Sequence, residues 1–122
     1  MEKLTAQEEE VMLVVWQQKG GCVKDFLDKM PDPQPPYTTL ASVVKNLERK
    51  GYVVSKRYGN TYHYTPAIEE TEYKRSFLSS VVKNYFANSY RDLVAFFASE
   101  EQITSDELQE IARIIENGKT SK

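Results

Sequence analysis

The chain has one cysteine, Cys22, and one histidine, His63, among its 122 residues. A single thiol excludes an intrachain disulfide framework and any cysteine-rich zinc cage. A single imidazole leaves most metal-hydrolase and histidine-triad chemistries without their parts. No apolar run approaches the roughly 20 residues a spanning helix needs, and the opening Met1-Glu-Lys-Leu-Thr5 is not a signal peptide. No glycine-rich phosphate loop is present, and no carboxylate pair is placed to share a proton. The expectation is a cytoplasmic, soluble protein without catalytic residues, cofactor, metal or membrane association, one that binds rather than catalyses.

What is present is charge segregation. The net charge of −2 is an average over unlike halves. Residues 37–66 hold five basic groups (Lys45, Arg49, Lys50, Lys56, Arg57) against one acid, Glu48, a local +4. Residues 67–122 hold seven basic and ten acidic groups. Binding responds to local potential, so the clustering matters more than the total.

Thr5-Ala-Gln-Glu8 is a capping box that starts a helix, and Val11, Met12, Val15 and Trp16 give it a core-facing stripe that Gly20-Gly21 ends. Val23, Phe26, Leu27 and Met30 recur at helical spacing in a short second segment. Pro31 to Pro36 holds four prolines in six residues and reads as an exposed connector. In residues 37–50, Leu40, Val43, Val44 and Leu47 form one apolar face, with Gly51 as the stop. The opposite face carries Thr38, Thr39, Ser42, Lys45, Asn46 and Arg49, the hydroxyls, amide and cations that bond phosphates and base edges. The plain alternative is a solvated polar face with Thr38 as a cap.

Tyr52–Tyr58 and Thr61–Thr65 flank Gly59-Asn60 as a hairpin with Lys56, Arg57 and Tyr58 beside its tip, closed by Pro66. The alternative for these three is an ordinary charged turn. His63 reads as a stacking partner among tyrosines, and Cys22 as a small core residue. Three helices and a two-stranded ribbon in this order predict a winged helix-turn-helix domain over residues 1–67.

Residues 68–122 predict three helices. Tyr73, Phe77, Val81 and Tyr85 recur every fourth residue, and Ser89 caps a segment holding Leu93, Val94, Phe96 and Phe97. Thr104 and Glu107 form a capping box and Ile103 and Leu108 a staple for a last helix carrying Ile111 and Ile115 to Gly118, followed by a frayed tail. About 50 residues cannot enclose so much apolar surface alone. The fold class expected is therefore mainly α with a small antiparallel ribbon, the second domain pairing two copies through Tyr73, Phe77, Val81, Tyr85, Leu93, Phe97, Leu108, Ile111 and Ile115.

The chain resembles the penicillinase-repressor family (the BlaI/MecI/CopY group). The likeness rests on Leu4-Thr-Ala-Gln-Glu-Glu-Glu-Val-Met12 with Trp16, Tyr37-Thr-Thr-Leu40 leading to Leu47-Glu-Arg-Lys-Gly51, Tyr62-His-Tyr-Thr-Pro66, and Leu93-Val94 with Phe97. It implies a homodimeric repressor on a palindromic operator in double-stranded DNA, with Thr38, Thr39, Ser42, Lys45 and Asn46 at recognition positions. It also implies a regulatory protease as partner in the β-lactam branch, cutting an Asn-Phe bond. The matching bond here is Phe96–Phe97, where the Phe is kept and the Asn is not. The copper branch uses Cys-x-Cys pairs near the C-terminus, and this chain has no cysteine after Cys22. The rival readings are a ligand-sensing regulator of similar architecture and a winged helix used as a protein-interaction module.

Overall fold

The computed structural model describes residues 1–120. The order is α1 (Ala6–Gln18), α2 (Val23–Lys29), α3 (Tyr37–Arg49), β1 (Val53–Tyr58), β2 (Thr61–Pro66), α4 (Glu70–Phe86), α5 (Tyr90–Ser99) and α6 (Ser105–Thr120). Two compact units divide within α4, at Lys74 and Arg75.

In the first unit the capping box forms as expected: Glu8 N–H donates to Thr5 Oγ1 at 3.1 Å, and Thr5 N–H donates to Glu8 Oε1 at 2.9 Å. Val11, Met12, Val15 and Trp16 are buried with Phe26 of α2, the apolar face of α3, and Tyr52, Val53 and Tyr64. Ile68 and Tyr73, beyond the boundary at residue 67, pack against the same core. The Trp16 indole donates to Ile68 O at 2.8 Å, and the Tyr73 ring lies 5.4 Å from Trp16 and 5.8 Å from Tyr52.

Gly20 and Gly21 do more than stop α1. Gly21 N–H donates to Tyr64 O at 2.9 Å and Gly21 O accepts from Tyr64 N–H at 2.8 Å, so the turn adds a bridge to β2. A Cβ on Gly20, at φ +107°, would stand 2.7 Å from Tyr64 O. Only a bare backbone approaches that closely. Cys22 is not the core residue expected. The same turn holds it, half-buried, at the start of α2, where its thiol donates to Asp25 Oδ2 at 3.3 Å and its N–H to the same oxygen at 3.0 Å. Both bonds keep the Asp25 carboxyl below its usual range.

The ribbon turns at Gly59, φ +62°, and its register pairs Lys56 with His63 and Arg57 with Tyr62. Val53, Ser55, Arg57, Tyr62 and Tyr64 thereby share one face, and Val54, Lys56, Tyr58 and His63 the other.

The second unit contrasts with the first. Its caps form: Asp92 N–H donates to Ser89 Oγ at 3.0 Å, and Thr104 and Glu107 bond reciprocally at 2.9 and 3.1 Å. α4 ends on Ala87 and Asn88, both left-handed at φ +51° and +67°. α6 continues past Gly118, whose backbone stays helical, so that glycine is no stop. Ser121 and Lys122, at the end of the tail expected to fray, lie outside the described residues. Among the described residues of this unit Val82 alone is buried. Phe77, Leu78, Tyr85, Tyr90, Val94, Phe96, Phe97, Ile111, Ile114 and Ile115 are exposed, while Val81, Leu93 and Leu108 are half-buried.

Candidate nucleic-acid interface

The orientation of α3 is locked by burial. Leu40, Val44 and Leu47 are fully buried and Val43 nearly so, which leaves the helix one rotation. Thr38, Thr39, Ser42, Lys45, Asn46 and Arg49 consequently all point to solvent. None of these six side chains has a hydrogen bond or ion pair among the described residues. Thr38 does not cap the helix: Pro36 is the N-cap, and no side chain bonds the first turn. The backbone N–H groups there stand open beside the two threonine hydroxyls.

The acid of this helix is turned aside. Glu48 accepts a short hydrogen bond from Ser55 Oγ of β1, so its carboxylate faces the ribbon. Lys50, counted in the sequence with the exposed cations, belongs elsewhere. Its ammonium sits 2.6 Å from Glu8 Oε1 and donates to Lys3 O at 3.0 Å, with a tenth of the side chain exposed. Burial alone would raise the Glu8 carboxyl, but the bonds from Lys50 and from Thr5 N–H outweigh it and hold that carboxyl below its ordinary value. The positive face is therefore Lys45, Arg49, Lys56 and Arg57.

At the ribbon tip the Lys56 ammonium lies 5.5 Å from the centre of the Tyr58 ring, which meets His63 edge-on at 5.9 Å. His63 is thus stacked across the strands, as expected. Arg57 Nε donates to Gly59 O at 2.8 Å, which stiffens the turn and leaves the outer guanidinium nitrogens available. Tyr58 is exposed.

Between α3 and the inner face of the ribbon runs a cleft of about 640 Å³. Tyr37, Ala41, Lys45 and Glu48 line one wall, Ser55, Tyr62 and Tyr64 the other, with Lys24 of α2 at its edge. Lys24 was not singled out in the sequence, and Tyr37 and Tyr62 only within the family motifs, not as site residues. The period-two register would have placed Tyr62 beside Arg57, but nothing local placed Lys24 there. Among the described residues no group of three His, Cys, Asp or Glu side chains could hold a metal ion.

The model of the penicillinase repressor family matches residues 4–117. The chain belongs to that family. It is 22% identical over 116 residues to the methicillin resistance regulatory protein MecI of Mammaliicoccus sciuri, covering 93% of each chain. It is 22% identical over 121 residues to the penicillinase repressor of Bacillus licheniformis, covering 98% of this chain and 94% of that one. Among solved structures, RosR of H. salinarum superposes with a TM-score of 0.52 at 14% identity, covering 99% and 98%. That likeness concerns the fold, which is the winged helix followed by helices expected from the sequence. This repressor is a DNA-binding transcriptional regulator and not an enzyme. Among its described residues no helix is long and apolar enough to cross a membrane.

Proposed function

We propose that this repressor binds an inverted-repeat operator as a homodimer, residues 1–67 reading one half-site each and residues 68–122 pairing the copies. The observation that carries the reading is α3: a helix locked by its core face, presenting hydroxyls, an amide and cations with no internal partners and its one acid turned away. Thr38, Thr39, Ser42 and Asn46 would meet base edges in the major groove, while Lys45, Arg49, Lys56, Arg57 and Tyr58 would meet phosphates. The pairing follows from the second unit, whose Tyr85, Phe97, Ile111 and Ile115 are exposed while one residue is buried. That much open apolar surface is what an interface looks like before it closes. Tyr73 contributes to the first unit's core instead, donating its hydroxyl to Glu9 Oε2 at 2.5 Å.

The names of MecI and of the Bacillus repressor make antibiotic-resistance genes the first targets to test. Release by a regulatory protease at Phe96–Phe97 would require α5 to unwind, since both residues lie inside it.

A salt titration with duplex DNA tests the reading. Log K should fall steeply with log[salt], by about 0.9 for each phosphate neutralised. A slope near zero, with tight binding to a protein partner, would favour an interaction module and overturn it.

A further inference from the structure

The apolar row of α3, Leu40, Val43, Val44 and Leu47, continues by helical spacing to position 50, and there the sequence places a lysine. Its side chain is 10% exposed, so the charge lies at the edge of the core and not among the cations that face solvent. Its ammonium is 2.6 Å from Glu8 Oε1 and donates to Lys3 O at 3.0 Å. Glu8 Oε1 also accepts from Thr5 N–H, so one oxygen both caps α1 and holds the end of α3. Just beyond, the buried Tyr52 donates its hydroxyl to Glu2 O. Residues 2–8 thus clasp the C-terminal end of α3 through the side chains of Lys50 and Tyr52. The other end of the helix has no such strut, since Pro36 is its N-cap and no side chain bonds its first turn.

Stability alone does not account for this pair. A buried ion pair gives up hydration at both partners, and apolar groups of the same volume often hold a core as well. What the pair adds is direction. Burial of Leu40, Val44 and Leu47 fixes which face of α3 turns inward, but apolar burial is non-directional and tolerates a small slide or tilt along the core. An ammonium shared between a carboxylate and a carbonyl tolerates neither, because a hydrogen bond weakens steeply away from its preferred distance and angle. Base edges are read under the same strict geometry.

We infer that Lys50 is a positioning residue for operator recognition: through Glu8 and Lys3 it fixes the pose of α3, and so sets how sharply the exposed row discriminates bases, without itself touching DNA. The inference rests on the DNA-binding reading above, and it makes α1 and the residues before it part of the apparatus of specificity.

The test compares two duplexes of equal length: an operator that the unmodified protein selects from a random-sequence pool, and a mixed sequence. The double variant Glu8→Gln with Lys50→Met removes both charges, keeps an acceptor for Thr5 N–H and strands no ion. Its urea midpoint should stay near the parent's. Its preference for operator over mixed sequence should fall about five- to tenfold, the worth of one misaligned bidentate base contact. The slope of log K against log[salt] should not change, because no phosphate contact is lost. Lys50→Arg, which keeps a cation and donors for both partners, should retain the preference. Preference is a ratio of two affinities, so a smaller folded fraction cancels from it. A double variant with the parent's preference overturns the inference and leaves the pair a structural one. Equal weakening on both duplexes with a slope lower by about 1 also overturns it, because Lys50 is then a phosphate contact. Loss of preference in Lys50→Arg as large as in the double variant overturns it too. These three results leave the DNA-binding reading standing. Failure of the unmodified protein to select any duplex from the pool would remove that reading, and the inference with it.

Discussion

Asn46 and Lys56 illustrate two kinds of contact that the same exposed surface can make. An amide can bond adenine at two atoms, so Asn46→Ala should lose about 1–3 kcal/mol of discrimination at one base pair, leaving the salt slope unchanged. Lys56→Ala should weaken all sequences alike. Comparing operator and mixed-sequence affinities for both variants separates these outcomes. Gly20 is a residue whose importance lies in what it lacks. Gly20→Ala forces a side chain into φ +107° and against Tyr64 O, and should destabilise the fold by about 2–4 kcal/mol, measured as a fall in the urea midpoint. The Glu8–Lys50 pair ties the start of α1 to the end of α3 with both side chains nearly buried. Glu8→Ala strands the ammonium and should cost about 3 kcal/mol. Because the folded Glu8 carboxyl sits below its ordinary value of 4.5, its contribution is complete above that value and disappears as pH falls through the folded one. Urea midpoints measured from neutral pH into that acidic window should therefore decline less steeply for Glu8→Gln than for the parent.

At the scale of elements, α3 was legible because its apolar period and its polar face are both local properties of thirteen residues. The caps of α1 and α6 were legible for the same reason: a hydroxyl and a carboxylate three residues apart close on each other whatever surrounds them, and at α5 Ser89 accepts from Asp92 N–H over the same short span. The end of α4 near Ala87 was legible too, but its strain was not: Ala87 occupies a left-handed position for which glycine is the usual choice. Relief of that strain should make Ala87→Gly more stable by up to about 1 kcal/mol, read as a higher melting temperature. The role of Lys50 was also hidden, because its partner Glu8 lies 42 residues away. The ribbon and the start of α4 add a pH dependence of opposite sign. Burial raises the phenols of Tyr52, Tyr64 and Tyr73 above their ordinary value of 10, and for Tyr73 the bond to Glu9 adds to it. The unfolded tyrosines ionise first, so stability holds below pH 10 and is lost as pH rises beyond it. Tyr73→Phe should flatten that alkaline loss.

For the whole molecule, the two units embody different thermodynamic situations. The first closes a core from α1 to α3, the ribbon and Tyr73. The second leaves Ile111, Ile114 and Ile115 at 45%, 64% and 53% exposure, which is stable only if something covers them. With a second copy as the cover, two weak half-site contacts become one intramolecular event, and affinity rises by about 10²–10⁴. Ile115→Asp should then give monomers by sedimentation together with a loss of operator binding of that order. Monomers that still bind tightly would break the link between pairing and repression.

Periodicity, capping pairs and turn glycines lie within a few residues of one another, and the sequence by itself determined everything built from them: six helices, a ribbon and the outward row of α3. Tertiary structure decided which cations stay exposed, because Lys50 is neutralised by a distant Glu8 while Lys45, Arg49, Lys56 and Arg57 remain at the surface. It also decided that Gly20 and Gly21 join the turn between α1 and α2 to Tyr64 of the ribbon. These outcomes depend on distances across the chain, and no local pattern encodes a distance between residues that only packing brings together.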